Sequence, residues 1–426
     1  MNEHDTAFEM AGARLRFGPG VTAEVGLDLA DMGARRVLLF TDPQMRDLPP
    51  VHVALQAIQR EGIACDVFDR VHIEPTDQSI QVAITAARSL PYDAFVAVGG
   101  GSTIDTAKAA NLYSTHPADL LAYVAAPVGE GRAVPGPLKP LVAIPTTAGT
   151  GSETTGVAIF DLSEIHAKTG ISDRHLRPSL ALVDPENTHT MPPLVAASTG
   201  LDVMCHALES YTALPFNKRI RAERPNRRST YQGANPISDI WAERALSLVA
   251  EHLHRAWLNP ADDEARSQML LASAYAGIGF GNAGVHLCHG MSYPVSGMVR
   301  DFHPVGYPGD HALVPHGVSV VLNAPAVFRF TAPACPERHL RAAELLGAEA
   351  AGAAVDEAGD ILADRVVQFI QMLELPNGLS ALGYTAADAP ELVKGTLPQH
   401  RVTKLSPRPA DEADVMLLFL NSMTLW

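Results

Sequence analysis

Apolar residues fall into two rhythms along this chain. In the first part they come as short runs: "RRVLLFTD" (35–42), "ACDVFD" (64–69), "DAFVAVGGGS" (93–102), "PLVAIPTT" (140–147) and "LALVD" (180–184). Short apolar runs bounded by Gly, Pro and Asp predict strands, and amphipathic stretches at 50–61 and 77–90 lie between several of them. Strand and helix in alternation predict a parallel sheet covered by helices. After "DPENTHTMPP" (184–193) the rhythm changes, and Ala- and Leu-rich segments at 194–213, 237–257, 262–280, 340–349 and 353–375 carry helical spacing. Pro192 and Pro193 suit the first turn of a helix, so the boundary falls there. The fold class read this way is α/β plus all-α. A Rossmann-like parallel-sheet domain (1–191) is followed by an all-helical domain (192–426). Residues 217–230 and 298–311 read as loops, and no internal repeat is visible.

Totals narrow the functional classes. A chain of 426 residues exceeds what one hydrophobic core usually serves, which agrees with two domains. Its 47% hydrophobic and 19% charged content is ordinary for a globular enzyme, and a net charge of −15 argues against a nucleic-acid surface. It leaves room for a small anionic substrate, which needs only a local cation or two. Cys65, Cys205, Cys288 and Cys335 are scattered without CxxC spacing, so no disulfide framework or cysteine zinc cage is expected. The N-terminal stretch resembles neither a signal nor a transit peptide, and no run approaches the length of a membrane span. The expectation is a cytoplasmic protein that engages no membrane and forms a homo-oligomer, a dimer.

Three strand ends offer a nucleotide site. In "VAVGGGSTIDTAK" (96–108) a strand runs into glycines and a helix start, where backbone N–H groups can meet a pyrophosphate. Ser102 and Asp105 also fit a Ser-x-x-Asp capping box, so Asp105 reads equally well as a cap. "LLFTD" places Thr41 and Asp42 beyond a strand's carboxyl end, where an acid suits a free ribose hydroxyl and favours NAD over NADP. "AIPTTAGTGSE" (143–153) can line the same crevice.

A metal is the second theme. In "GLDVMCHALESY" (200–211), Asp202 and His206 sit at i and i+4 on one helical face. A carboxylate in so apolar a run needs a partner, either the imidazole or a metal. Residues 284–317 add His286, His289, His303, His311 and His316, and two of these with the helix pair would suit Fe²⁺ or Zn²⁺. Cys205 and Cys288 read as small core residues.

With these motifs in hand, the chain resembles the iron-containing (group III) alcohol dehydrogenases over almost its whole length. "GGGSTIDTAK", "IPTTAGTGSE", "TGLDVMCHALESY" and "PHG" stand in that family's order. "YQGANPISDIWAERAL" (231–246), "GIGFGNAGVHLCHGMSYPVSG" (277–297) and "DHALVPHG" (310–317) are most similar to its hydroxyacid–oxoacid transhydrogenase branch. The resemblance implies metal ligands at Asp202, His206, His289 and His316, with iron ahead of zinc. It also implies a pyrophosphate loop at Gly99, Gly100, Gly101 and Ser102, an adenosine-ribose contact at Asp42, and ribose–nicotinamide contacts at Thr146, Thr147 and Lys168. Simpler relatives carry a histidine where this chain has Tyr293, so the proton relay is Tyr293 or one of His286, His303 and His311. The implied chemistry is NAD-linked hydride transfer, from 4-hydroxybutyrate to 2-oxoglutarate or, in the alternative, from a simple alcohol. For substrate carboxylates, Lys218, Arg219, Arg221, Arg227, Arg228 and Arg300 stand in expected loops.

Overall fold

Each of the five apolar runs forms a strand in the computed structural model, which describes residues 3–164, 167–308 and 311–426. In chain order the strands are β1 (Leu15–Phe17), β2 (Arg36–Phe40), β3 (Ala64–Phe68), β4 (Ala94–Gly99), β5 (Leu141–Pro145), β6 (Val157–Leu162), β7 (Ala167–Ser172) and β8 (Leu180–Val183). Six of them make one sheet, all parallel, in the order β1-β8-β5-β4-β2-β3, while β6 and β7 form a separate antiparallel ribbon. Helices α1 (Val25–Asp31), α2 (Pro49–Arg60), α3 (Asp77–Arg88), α4 (Gly101–Thr115) and the short α5 (Leu120–Tyr123) accompany the sheet. Val37 and Leu39 of β2 pack with α1 and α2, whereas Leu38 and Phe40 pack with α3 and α4. Both faces are therefore covered, which is why these strands are apolar without alternation. Strand β1 and the β6–β7 ribbon go beyond the sequence reading. The first is only three residues long, and the second mixes polar and apolar positions.

From Pro193 onward the described chain is helical: α6 (Pro193–Thr212), α7 (Pro236–Leu258), α8 (Asp263–Ala283), α9 (Leu287–Gly297), α10 (His316–Val321), α11 (Ala324–Thr331), α12 (Pro336–Leu345), α13 (Ala358–Met372), α14 (Ala389–Thr396), α15 (His400–Thr403) and α16 (Glu412–Asn421). Helices α6, α7 and α8 wrap one core with α9–α11 and α13. The helix expected at 340–349 begins earlier, because Pro336 opens its first turn and Gly347 lies beyond its end at φ 85°. Helix α9 was hidden by its own Gly290 and Pro294, residues that ordinarily argue against a helix interior. No helix among the described residues is long and apolar enough to cross a membrane.

Two contacts fasten the sheet to the helices. The buried Arg266 of α8 donates from Nη1 to the carbonyls of Thr188 (2.9 Å) and Met191 (3.4 Å), gripping the segment that leads into α6. The loop after β5 turns at Gly151 (φ 58°) and lies directly on Gly277 of α8, where a Cβ would come within 2.9 Å of the Gly151 Cα. Glycine is required at both places.

The capping role considered for Asp105 does not hold. Helix α4 starts at Gly101 behind Gly100 with no side-chain cap. The Ser102 hydroxyl instead accepts from Glu74 N (3.2 Å), and Asp105 accepts from the Ser152 hydroxyl and from Ile159 N (2.9 Å). Lys108, fully buried, donates to Ser152 Oγ (2.7 Å) and the Val157 carbonyl (2.8 Å). Next to this network Glu153 is buried with Oε1 unpartnered, and burial pushes its carboxyl up from 4.5 to about 7. A raised carboxyl binds its proton more tightly in the folded state than in the unfolded one. Its contribution to stability is therefore full below about pH 4.5 and is lost as pH rises through about 7. Glu153→Gln should leave stability near pH 4.5 almost unchanged and raise it at about pH 8 by about 3 kcal/mol, measured by urea unfolding.

Candidate active site

Helix α6 carries Asp202, His206 and Glu209 at i, i+4 and i+7, all buried on one face. The His206 Nδ1 is 3.7 Å from Asp202 Oδ2, too far for the hydrogen bond that would have explained the pair without a metal. From α9, His289 Nε2 stands 3.5 Å from Asp202 Oδ1, and from α10, His316 Nε2 stands 3.9 Å from the same oxygen. Asp202 Oδ1, His206 Nδ1 and His289 Nε2 are buried and have no hydrogen-bond partner. Donor atoms of Asp202, His206 and His289 all lie within 4.8 Å of one another. Two atoms bound tetrahedrally to one ion at about 2.1 Å are about 3.4 Å apart, so the observed spacings fit a shared cation. His316 is outside that trio but borders it. Its approach depends on Gly317, where a Cβ would lie 1.9 Å from the Ser198 carbonyl of α6.

Glu209 was not singled out by the sequence reading, although its i+7 spacing from Asp202 was visible. It accepts from the His289 Nδ1–H and from Cys288 N (2.6 Å), which turns His289 Nε2 toward Asp202. This is the carboxylate–histidine arrangement that orients metal ligands. Burial would raise the Glu209 carboxyl, but His286 and His289 hold it down at about 2. Burial likewise works to lower His289, yet Glu209 and Asp202 carry it up to about 9. His206, stacked on Phe280 with ring centroids 3.9 Å apart, is pushed down to about 3 by burial and stays neutral.

Two cavities meet at this cluster. The larger, about 410 Å³, is lined by Asp42, Gly100, Gly101, Ser102, Thr146 and Thr147 and ends at Asp202 and His316. Gly99 is just behind it, pressed against Thr103. Asp42 also caps its own turn, accepting from Gln44 N (2.9 Å) and Met45 N (3.0 Å). The smaller cavity, about 100 Å³, is lined by Asp105, Lys168, His206, His289, Tyr293 and His316, together with Tyr231, Phe280 and Arg401. Glu74, Gly101, Ser102, Thr150 and His316 belong to both.

Several expected roles change. Lys168 faces the smaller cavity rather than the larger, and its Nζ is held by Glu74 (2.5 Å) and Asp161 (3.1 Å). His286 is completely buried between Glu209 (3.1 Å) and Thr212 Oγ1 (3.0 Å) and lines neither cavity, which suits a positioning role better than a proton relay. His311 stacks near His72 (4.6 Å between centroids), outside both cavities, and His303 is at the surface beside Asp301. None of Lys218, Arg219, Arg221, Arg227, Arg228 and Arg300 lines either cavity; Arg219 and Arg228 close on Asp5, and Arg300 on Asp388. Cys205 and Cys288 are free thiols in the helical core. Unforeseen members of the site are Glu209, Arg401 and Glu74, the last held at φ 56°.

Glu209→Gln keeps the shape of the helix face but removes the charge that steadies His289. It should lower affinity for a divalent ion 10–100-fold, measured by competition with a chelator whose affinity is known.

The description "Iron-containing alcohol dehydrogenase" matches residues 12–185, and "Fe-containing alcohol dehydrogenase family, C-terminal" matches residues 230–423. The chain is 58% identical over 424 residues to the mitochondrial hydroxyacid-oxoacid transhydrogenase of Bos taurus, covering 99% of this chain and 91% of that protein. Identity to the Homo sapiens protein of the same name is 57% over the same coverage. A crystal structure of a 1,3-propanediol oxidoreductase superposes with a TM-score of 0.85 at 28% identity, over 98% of this chain and 100% of that one. Both transhydrogenase relatives are named mitochondrial, which overturns the cytoplasmic location expected from composition and the N-terminal stretch. That expectation rested on general character and not on any residue with a location-specific role. By both halves of its length the chain belongs to the iron-containing alcohol dehydrogenases, metal- and NAD-dependent oxidoreductases of CH–OH groups, in the branch of the hydroxyacid–oxoacid transhydrogenases.

Proposed function

We propose that this protein moves a hydride from 4-hydroxybutyrate to 2-oxoglutarate by way of a dinucleotide that stays bound. The reading rests on the two cavities that abut at the Asp202 cluster, the larger lined by the glycine loop and strand ends and the smaller by the imidazoles. Similarity to the transhydrogenases over 99% of the chain supports the choice of acids. Residues 1–191 would hold NAD through Asp42, Gly99–Ser102, Thr146 and Thr147, and residues 192–426 would supply the metal ligands and most of the catalytic groups. Asp202, His206 and His289, with His316 completing the set, would hold iron(II), which three imidazoles and a carboxylate suit.

When bound, the metal would supply Lewis acidity at the reacting oxygen, and the nicotinamide would supply a hydride carrier between the two acids. Each oxidation also releases a proton and each reduction takes one up, so the semialdehyde and the 2-hydroxy acid form with no net change in cofactor. We assign that proton to Tyr293. Its hydroxyl lines the smaller cavity and accepts from Arg401 Nη2 at 2.5 Å, leaving its own proton for the cavity. Phe280 and Val285 keep the imidazole side of the chamber apolar.

Gel-filtered, metal-loaded protein given both acids and no nucleotide should form 2-hydroxyglutarate well beyond one equivalent. Turnover only after NAD is added, with NADH accumulating from an alcohol alone, would make it an ordinary alcohol dehydrogenase. Tyr293→Phe should cut kcat by about 10²-fold or more with a small change in KM, in the same assay.

A further inference from the structure

The smaller cavity contains one cation without an anion. Lys168 is neutralised by Glu74 and Asp161, and Lys108, behind the wall, stands 3.6 Å from Asp105. Arg401, from α15, donates to the Tyr293 hydroxyl and lies over the Tyr231 ring, with 5.3 Å from guanidinium carbon to ring centroid. Its Nη1 is buried with no hydrogen-bond partner. No carboxylate of the described residues forms an ion pair with it. A guanidinium taken out of water costs several kcal/mol unless an anion completes it. The Tyr293 hydroxyl and the Tyr231 ring hold this one in the chamber wall and leave its buried Nη1 edge unpartnered. Such an edge suits the two oxygens of a carboxylate.

We propose that Arg401 is the specificity residue that binds the substrate carboxylate distal to the reacting carbon. This rests on the transhydrogenase reading and adds a geometric reason for it. In 4-hydroxybutyrate the hydroxyl-bearing carbon is separated from the carboxylate by two methylenes. In 2-oxoglutarate the keto carbon is separated from the distal carboxylate by two methylenes as well. A single guanidinium at a fixed distance from the Asp202 cluster can therefore place either acid with its reacting carbon at the same point. The site takes acids oxygenated two methylenes away from a carboxylate, as alcohol or as ketone. Of the charged residues that looked available in sequence, Arg219 and Arg228 are taken up by Asp5 and Arg300 by Asp388.

The test compares the wild type with Arg401→Met and Arg401→Lys. One readout is the rate at which bound NAD⁺ is reduced by 4-hydroxybutyrate and by butan-1-ol. The second is calorimetric titration with butanoate, which carries the carboxylate but cannot react. In Arg401→Met the preference for the acid over the alcohol should collapse by about 100-fold and butanoate affinity should fall by a similar factor, with Arg401→Lys in between. Equal slowing of acid and alcohol, as a merely structural role or an effect through Tyr293 would give, overturns the proposal. So does unchanged butanoate affinity. If Arg401→Met fails to fold by circular dichroism, Arg401→Gln carries the same comparison. A wild type that binds butanoate through Arg401 but makes no 2-hydroxyglutarate overturns the transhydrogenase reading and leaves the carboxylate site standing.

Discussion

The carboxylate of Asp202 is the constraint around which the helical half is arranged. It is 2% exposed, in a helix buried on nearly every side, and no hydrogen bond satisfies its Oδ1. A buried charge of that kind persists only if something positive completes it. The surroundings are organised to that end. Three imidazoles converge from three helices, one of them oriented by Glu209 a further turn and more along α6. Helix α10 comes down onto α6 so closely that only glycine fits after His316. These features stabilise little by themselves; they make sense as parts of one electrostatic arrangement completed by a cation.

Much of this could be read from the chain because the chemistry was local. Asp202 and His206 share a helix face, and the strand ends with their glycines are contiguous. The sheet strands were legible because both of their faces are buried, giving uninterrupted apolar runs such as Val37–Phe40. The missed parts depend on contacts distant in sequence. Asp105 has the spacing of a helix cap, and only the fold reveals that it answers Ser152 and Ile159 instead. Lys168 lies on a ribbon whose partner acids, Glu74 and Asp161, no local pattern links to it. Arg401 is on a four-residue helix more than a hundred residues from Tyr293, so its place in the chamber has no local signature. Helix α9 was obscured by Pro294, which the surrounding core tolerates.

The histidine-dense segment shows how density differs from function. Of its five histidines, His289 and His316 reach the cluster. His286 stands behind it as a neighbour of Glu209, and His303 and His311 are outside both cavities. Residue type narrowed the choice, but helix geometry made it.

The shared wall between the cavities has a kinetic meaning. Glu74, Gly101, Ser102, Thr150 and His316 line both cavities, the one of about 410 Å³ and the one of about 100 Å³. On the proposed reading, the dinucleotide and the acid would meet there without trading places. One small acid can then be exchanged for another while its larger neighbour remains seated, and both acids must queue for a single chamber. On the proposed reading, that ordering gives a double-displacement rate law, in which an excess of either acid obstructs the other.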